Sequence, residues 1–397
     1  MNTIDTVNFN DKKVLIRVDF NVPLDNNSRV TDNSRIKSSI PTIKKVLSDN
    51  GSVIIMSHLG RPKGVEDKLS LHHILPCLEQ ELGMKVLFSN NCIGCEAKEK
   101  SSLLKGGQVL LLENLRFHKG EEAGDLSFAK ELADLADVYI NDAFGAIHRA
   151  HASVTTIVQF FDANKYFGYL VEREIHSLEK VLKTGEKPIT AIIGGAKIST
   201  KMPIINKMLD TVDNLIIGGG MTYTFWKAQG GQIGESIYEQ ENLSIALDVI
   251  EAAKEKNVKL YLPVDSVIAD SFSNQANTKI ANTGEIEDTW QGLDIGPKSI
   301  ELFKEVIINS KTILWNGPVG VFEFEKFSVG TDTLSEIIVN ATKNGAFSLI
   351  GGGDSIASVK KNGHENNMSY ISTGGGAMLE FLEGKKLPGI KAMLDGV

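Results

Sequence analysis

Cationic side chains follow several short apolar stretches in the first half of the chain. His58 and Arg61 come after one such stretch, Arg116 after another, and Arg149 soon after a third. All seven arginines lie at or before Arg173, although lysines occur throughout. Arginine binds anions through two parallel N–H donors, which lysine cannot do. The pattern therefore predicts a site for a small polyanion.

Two further polar residues, Asp19 and Asn21, follow the first apolar stretch. Both could accept a hydrogen bond from a ligand hydroxyl group, and both could equally serve to end a strand. His148 and His151 have a spacing that zinc ligands can use, but no acid or cysteine cluster nearby completes a zinc site. The first half thus points to a polyanion that carries a hydroxyl group.

Glycine clusters follow apolar stretches in the second half, where most of the 37 glycines lie beyond residue 173. Glycine turns that begin helices allow backbone N–H groups to approach a phosphate. Lys197 and Lys201 follow one turn, and their spacing of four predicts that they share a helical face. Asp354 and Ser355 follow another turn, where a Mg²⁺–phosphate would need a carboxylate and a hydroxyl. Neither segment is a Walker A or a G-x-G-x-x-G motif.

A third turn contains Asn316 and Glu323, which could bond a phosphate and a ribose. The alternative to a ligand site is a glycine–proline turn with an exposed acid.

Cys92 and Cys95 form a C-x-x-C that could be a redox pair or half a zinc site. Because there is no second such pair, two incidental thiols are the simpler interpretation.

Short β-branched stretches alternate with helical patterns in both halves, which predicts parallel sheets covered on both faces by helices. We expect two doubly wound, Rossmann-like α/β domains, with ligands at the carboxyl ends of the strands. A predicted helix over residues 166–183 joins them as a hinge. The predicted strands are 14–18, 53–56, 86–88, 109–112 and 138–140, then 189–193, 214–217, 259–262, 312–315, 348–350 and 370–372; the clearest helices are 38–48, 71–82 and 128–135.

Composition and charge exclude several classes of protein. A net charge of −8 argues against nucleic acid as the main partner. No apolar stretch approaches the roughly 20 residues that span a bilayer, and the first residues show no signal-peptide pattern. Three cysteines fit a reducing compartment. We therefore expect a cytoplasmic protein without a membrane segment.

At this point the motifs resemble those of the phosphoglycerate kinase family along nearly the whole chain. The resemblance implies reversible phosphoryl transfer from 1,3-bisphosphoglycerate to Mg-ADP, giving 3-phosphoglycerate and Mg-ATP, by in-line attack on hinge closure without a covalent intermediate. The motifs that carry it are VLIRVDFNVP from Val14, SHLGRP from Ser57, ENLRF from Glu113, NDAFG from Asn141, HRAHAS from His148, GGAK from Gly194, WNGPVGVFE from Trp315 and GGGD from Gly351.

The resemblance also assigns residues to roles. It implies a phosphoglycerate-binding domain over residues 1–167, onto which a tail of residues 385–397 packs, and a nucleotide-binding domain over 168–384, in a monomer. The phosphoglycerate contacts would be Asp19, Phe20, Asn21, Arg35, His58, Leu59, Gly60, Arg61, Arg116 and Arg149. The nucleotide contacts would be Lys201, Asn316, Glu323, Gly352, Gly353, Asp354 and Ser355, with Asp354 toward Mg²⁺. The groups facing the transferred phosphoryl would be Arg35, Lys197, Gly375 and Gly376.

Two departures from the family pattern stand out. Ser355 replaces the usual threonine and keeps its hydroxyl, whereas Met378 replaces a usual serine.

Two rival functions remain open from the sequence alone. A nicotinamide-dependent dehydrogenase would need the missing G-x-G-x-x-G motif, and a non-catalytic nucleotide sensor would not need the arginine cluster.

Overall fold

The computed structural model describes residues 3–395. The chain forms two compact units, one containing the residues up to Ile175 together with those from Lys385 onward, the other spanning His176–Gly384. Each unit is built around a parallel six-stranded sheet.

The sheet of the first unit has the order β3-β4-β2-β1-β5-β6, with every neighbouring pair parallel. β1, β2, β4 and β5 are buried almost throughout, as expected of strands covered on both faces. From β1 the chain moves outward on one side to β2 and later crosses to β5 on the other side, which creates a topological switch point. The strands are β1 (Lys13–Val18), β2 (Ser52–Met56), β3 (Leu87–Ser89), β4 (Val109–Leu112), β5 (Val138–Asp142) and β6 (Lys165–Phe167).

Helices of the first unit pack their apolar faces against this sheet. α1 buries Ile36, Ile40 and Ile43, which join the strand residues in one hydrophobic core. The helices are α1 (Ser34–Ser48), α2 (Leu75–Leu82), α3 (Gly94–Leu103), α4 (Lys119–Ala123) and α5 (Leu126–Ala133), and the tail ends in α14 (Pro388–Asp395). The helix α6 (Tyr169–Glu179) begins in this unit and ends in the second.

The main sheet of the second unit has the order β10-β8-β7-β15-β16-β17, again parallel throughout. Its switch point lies between β7 and β15, the first strands of the two halves. Its strands are β7 (Ile189–Ile193), β8 (Asn214–Ile217), β10 (Lys259–Tyr261), β15 (Thr312–Asn316), β16 (Phe347–Gly351) and β17 (Tyr370–Ile371). Its helices are α7 (Met202–Leu209), α8 (Met221–Ala228), α9 (Leu243–Glu255), α10 (Pro297–Ile308), α11 (Val329–Lys343), α12 (Gly353–Lys361) and α13 (Gly376–Leu382). Two parallel α/β sheets with helices confirm the predicted fold class.

A smaller sheet in the second unit has no counterpart among the predicted strands. It is antiparallel, with the order β12-β11-β14, and a short parallel pair of β9 and β13 lies apart from it. Its central strand is buried but outer strand β12 alternates between exposed and covered residues, so its apolar signal is weak. The strands are β9 (Gln232–Ile233), β11 (Asp265–Ala269), β12 (Thr278–Asn282), β13 (Glu285–Ile286) and β14 (Gln291–Ile295).

The predicted helix over residues 166–183 is wrong at its start, whereas helical structure does continue to its predicted end. Tyr166 and Phe167 belong to the strand β6 instead, which pairs with β5 at the sheet edge. The helix α6 starts at Tyr169 and is continued by a π-helical turn over Lys180–Thr184. The buried carboxylate of Asp142 caps this helix, since its Oδ1 accepts a hydrogen bond from the Leu170 N–H at 2.8 Å.

The C-terminal tail lies against the first unit. Gly389, in α14, donates its N–H to the carbonyl of Ile147 at 2.9 Å. A Cβ at Gly389 would come within 2.8 Å of Val154, so only glycine allows this approach. The last two residues of the predicted tail lie outside the described part of the chain. Among residues 3–395, no helix is both long and apolar enough to cross a membrane.

Candidate active site

The carboxyl ends of β4, β2, β1 and β5 lie side by side at one edge of the first sheet. The polar segments predicted to converge follow these four strands. Parallel strands present their carboxyl ends at the same edge, so adjacency in the sheet brings the segments together.

The Asp19 carboxylate, just after β1, lies at the centre of this edge. It forms an ion pair with Arg35, and its Oδ1 accepts the Asn21 N–H at 3.2 Å. Asn21 in turn accepts a hydrogen bond from the Gly60 N–H at 2.8 Å. A side chain at Gly145 would collide with the Asp19 carboxylate, so glycine is required there for close approach. The ends of three strands are thereby tied into one surface.

His58, just after β2, is 6% exposed and faces Arg17, whose Nη2 lies 3.2 Å from Nδ1. Burial, and then the charges of Arg17, Arg116 and Arg35, hold the pKa of His58 well below its ordinary value. His58 is therefore a neutral group at pH 7, and the positive charge of this edge resides on the arginines.

Arg116 and Arg149 complete the cationic group. Arg116 is 8% exposed, and its Nη1 donates to the Gly60 carbonyl at 2.6 Å. Burial, then the charges of Arg116, Arg17 and Arg149, lower the pKa of His151 to about 4. A second histidine is thus kept neutral, first by burial and then by the same arginines.

Three predicted residues of this site differ from the rest. Arg61 is exposed and forms no ion pair with any residue between 3 and 395. Phe20 and Leu59 are buried, so only their backbone can face a ligand. Side chains hold that backbone in place: Ser57 Oγ accepts the Phe20 N–H at 2.8 Å, and Asn114 accepts the Leu59 N–H at 3.3 Å.

At the switch point of the second sheet, the glycine-containing loops that follow β7 and β15 are in close contact. A Cβ at Gly194, just after β7, would collide with the carbonyls of Gly317 and Pro318, just after β15. Gly317 has a φ of +98°, in the left-handed region that favours glycine. Glycine is therefore required at this point because the two loops contact each other through their backbones.

Asn316, the last residue of β15, is fully buried. Lys201 donates to its Oδ1 at 2.6 Å, while its Nδ2 has no partner among the residues described. Ser355 accepts the Gly317 N–H at 2.6 Å through its Oγ. A Cβ at Gly352 would lie 2.9 Å from the Asn316 amide nitrogen. The structure brings four predicted nucleotide contacts together here.

The expectation that Lys197 and Lys201 share a helical face is wrong. Residues 194–201 form a loop and turn, and α7 begins only at Met202. Lys197 is exposed in this loop. Burial lowers the pKa of Lys201, an effect that the Asp354 carboxylate opposes. The two lysines therefore differ in environment. Lys201 is partly buried in the site, whereas Lys197 is exposed to solvent.

A pocket of about 730 Å³ opens beside this switch point. Such a volume suits a ligand of nucleotide size. Glu323 and Asp354, both exposed, lie among its lining residues. Glycine backbone and apolar side chains form much of the remaining wall, including Gly195, Gly219, Gly220, Leu293, Val319 and Phe324, and polar residues such as Glu235 and Gln291 complete it.

The last predicted glycines precede α13. Gly375 has a φ of +51°, and Gly376 is the first residue of the helix. Gly353, likewise, begins α12, with nothing near its Cβ position. Met378 is buried, and a Cβ at Gly351 would collide with its sulfur, so the unusual methionine packs beneath the glycine turn.

Sequence reasoning missed a buried network behind the arginines. Arg17 was not among the predicted site residues, yet it contacts His58, Ser153 and Glu121. Glu121 is 0% exposed and lies on α4. The sequence did contain a signal for this network, because Arg17 is a charged residue within an otherwise apolar strand.

The proposed metal and redox alternatives find no support in the described residues. No group of three or more metal-ligating side chains occurs between residues 3 and 395. Cys92 is buried, Cys95 is exposed, and both are free thiols. The two cysteines are therefore not paired.

Two parallel α/β units with glycine turns and cationic groups at their strand ends are typical of a phosphoryl-transfer enzyme. The sequence model of phosphoglycerate kinase matches residues 4–385. The phosphoglycerate kinase of Porphyromonas gingivalis is 53% identical over 98% of this chain and 99% of its own length. The cytosolic phosphoglycerate kinase of Triticum aestivum is 49% identical over 98% of this chain and 97% of its own. The solved phosphoglycerate kinase structure from Coxiella burnetii has a TM-score of 0.91 and 39% identity, covering 99% of both chains.

The chain belongs to the phosphoglycerate kinase family. Its activity is the phosphoryl transfer of glycolysis catalysed by that family, and it is a kinase. The dehydrogenase alternative finds no support in these relatives.

Proposed function

We propose that the first unit binds the phosphoglycerate and the second binds the nucleotide. The observation that carries this assignment is the grouping of Arg35, Arg116 and Arg149 with Asp19 and a neutral His58 at one sheet edge. Arginine suits the carboxylate and phosphate of phosphoglycerate, and the Asp19 carboxylate suits its hydroxyl.

On this proposal, the backbone segments at residues 19–21 and 58–61 line the phosphoglycerate site. Phe20, Leu59 and Gly60 contribute main-chain groups, while Asn21 receives the Gly60 N–H and keeps the two segments in register. Arg61 has no ion-pair partner among residues 3–395 and is exposed, so it is available to close over the ligand phosphate.

The assignment of nucleotide binding to the second unit rests on the Asn316 side-chain amide, whose Nδ2 has no hydrogen-bond partner among the residues described. A buried donor without a partner costs free energy unless a ligand satisfies it, and Lys201 lies beside it as a cation. Gly352, Gly353 and Ser355 supply a glycine turn at the start of α12, where phosphate oxygens are favoured. Glu323, which lines the pocket, would accept hydrogen bonds from the ribose hydroxyls.

Asp354 fits the demands of Mg²⁺ bound with a nucleotide. It is an exposed carboxylate beside Lys201, and among residues 3–395 it has no second acid in a ligand cluster. Mg²⁺ prefers one or two carboxylates together with phosphates and waters, so a single aspartate is sufficient. When bound, the ion would offset the charge of the nucleotide phosphates.

Catalysis is then a matter of position and charge, because the acyl phosphate and the ADP β-phosphate exchange a phosphoryl group directly. Arg35 and Lys197, with the backbone N–H groups at Gly375 and Gly376, would neutralise the equatorial oxygens of the moving group. Hinge closure near α6 would bring the substrates in line and exclude water. No side chain needs to act as a nucleophile.

The proposal extends to the setting of the enzyme. We expect a cytoplasmic monomer that binds neither nucleic acid nor membrane. Support comes from the net charge of −8 and from the reduced cysteines.

A crossed pair of variants tests the assignment of the two units. Arg116→Ala should weaken 3-phosphoglycerate binding at least about ten-fold and leave ADP binding unchanged, since a charged hydrogen bond contributes about 1.5–3 kcal/mol. Lys201→Met should do the reverse. Titration calorimetry with each ligand on the full chain measures both. An exchanged pattern, or loss of both ligands in both folded variants, would overturn the assignment.

A further inference from the structure

Behind the proposed phosphoglycerate site lies a buried chain of polar groups formed by Glu121, Ser153, Arg17 and His58, called here the Glu121 network. It begins at Glu121, a carboxylate with no solvent exposure. The Ser153 hydroxyl donates to Glu121 Oε1 at 2.6 Å, and the Ser153 N–H donates to Oε2 at 3.0 Å. Both carboxylate oxygens are therefore oriented by one residue.

Arg17 receives its orientation from the same serine. Its Nε donates to the Ser153 oxygen at 2.9 Å, its Nη1 donates to the Val18 carbonyl at 2.5 Å, and its Nη2 lies 3.9 Å from Glu121. A guanidinium with a side-chain exposure of 1% and three such contacts has one orientation available. Arg17 Nη2 is thereby directed at His58.

The contact between Arg17 and His58 decides where the imidazole proton lies. Nη2 is 3.2 Å from Nδ1. A guanidinium can only donate, so Nδ1 must be the acceptor and the ring proton must be on Nε2. The opposite tautomer would place two N–H groups against each other. Nε2 has no hydrogen-bond partner among residues 3–395.

We propose that Arg17, held by Glu121 through Ser153, is a positioning residue that keeps His58 in the neutral Nε2–H form, so that the imidazole donates a hydrogen bond to an anionic oxygen of the phosphoglycerate. An imidazole in the other tautomer would turn a lone pair toward that anion and repel it. The role of His58 as a ligand contact rests on the proposed function above, but its tautomer does not.

The tautomer can be observed in the full chain without any substrate. Two-bond ¹H–¹⁵N correlation spectra of ¹⁵N-histidine-labelled protein at about pH 7.5 distinguish the two neutral forms and the cation, and His58→Gln assigns the signals. We expect the Nε2–H pattern for His58. An Nδ1–H pattern, or an imidazolium, would overturn the proposal.

A paired substitution tests the part played by the network. Arg17→Leu with Glu121→Gln removes the donor and the buried countercharge together, which avoids leaving a charge unpaired. We expect His58 to populate both tautomers in this variant and the KM for 3-phosphoglycerate to rise about ten-fold, with the KM for ATP unchanged. A purely Nε2–H signal in the folded double variant would show that Arg17 does not set the tautomer.

Tyr139→Phe is the matched control. It removes a buried hydrogen bond from Tyr139 to the Ser153 carbonyl at 2.8 Å and leaves Arg17 facing His58. The Nε2–H signal should persist, and its loss would mean that general disturbance of the core controls the tautomer. If His58 has the expected tautomer but His58→Gln leaves 3-phosphoglycerate affinity unchanged, the ligand-contact assignment fails and the tautomer inference stands.

Discussion

Arg35 is the residue whose placement has the most direct chemical consequence. It lies at the start of α1, in an ion pair with Asp19, and its side chain is 33% exposed. The pair orients the guanidinium while leaving part of it open to a ligand. Arg35 can therefore belong to the substrate site and still face a group that arrives from solvent.

We expect Arg35→Ala to reduce kcat by about 10³-fold or more, the scale of charge stabilisation by arginine in phosphoryl transfer. Steady-state assay of ATP formation from 1,3-bisphosphoglycerate and ADP measures the change. Arg29→Ala, which removes an exposed arginine of the same unit, is the control and should retain normal turnover. A near-normal kcat for Arg35→Ala would exclude the catalytic role.

Lys197 presents a different case, since it is exposed in a loop. A lysine that contacts the phosphoryl group mainly during transfer lowers the barrier without adding to ground-state affinity. Lys197→Ala should accordingly reduce kcat strongly and change ADP affinity by less than about three-fold. Lys207→Ala, on α7, provides a lysine control. An altered KM with unchanged kcat would contradict this role.

At the scale of elements, the first turn of α6 depends on a buried carboxylate. Asp142 lies at the end of β5, and its Oδ1 accepts N–H groups from Leu170 at 2.8 Å and Val171 at 3.4 Å. Burial raises the pKa of Asp142 from 3.8 to about 6, even though these bonds favour ionisation. The strand that leads to the proposed phosphoglycerate site therefore also anchors the proposed hinge helix.

This raised pKa predicts a pH dependence of stability. The folded state binds the Asp142 proton more tightly than the unfolded state does, so protonated Asp142 stabilises the fold. This stabilisation is complete below about pH 4 and is lost as the pH rises through about 6. The loss amounts to about 3 kcal/mol for a shift of this size. Asp142→Asn keeps the Oδ1 acceptor but cannot ionise, so its stability relative to the natural protein should increase between about pH 4 and 7.

Denaturant unfolding of both proteins across this pH range measures the difference. Since a chain of two units need not unfold in one step, hydrogen exchange of the Leu170 and Val171 amides serves as the local measurement. Protection of these amides should fall with rising pH in the natural protein relative to Asp142→Asn. A constant difference between the two proteins would show that Asp142 does not titrate in this range.

At the scale of the whole molecule, the proposed mechanism requires both substrates together. We expect the radius of gyration from small-angle X-ray scattering to decrease when 3-phosphoglycerate and Mg-ATP are both present, and to change less with either alone. Light scattering should give a mass of 43.3 kDa, that of one chain. An unchanged radius in the ternary complex would argue against closure, and a doubled mass would exclude the monomer.

The amino-acid sequence by itself determined the features that depend on local pattern. Parallel strands buried on both faces are continuous apolar stretches, so the two main sheets were predictable, whereas the antiparallel sheet around β11 was not because β12 lacks such a stretch. Glycine turns and arginine positions are properties of residue type, and they were sufficient to indicate two phosphate-handling regions.

Tertiary structure decided which side chains meet. Arg17 and Glu121 are 104 positions apart along the chain, and only the pairing of β1 with its neighbours and the packing of α4 brings them within 3.9 Å. The helical spacing suggested for Lys197 and Lys201 failed because the loop after β7 turns against the glycines at 317 and 219 instead of continuing as a helix. Local pattern specifies which elements form, but burial, ionisation and the tautomer of His58 depend on contacts between residues distant in sequence.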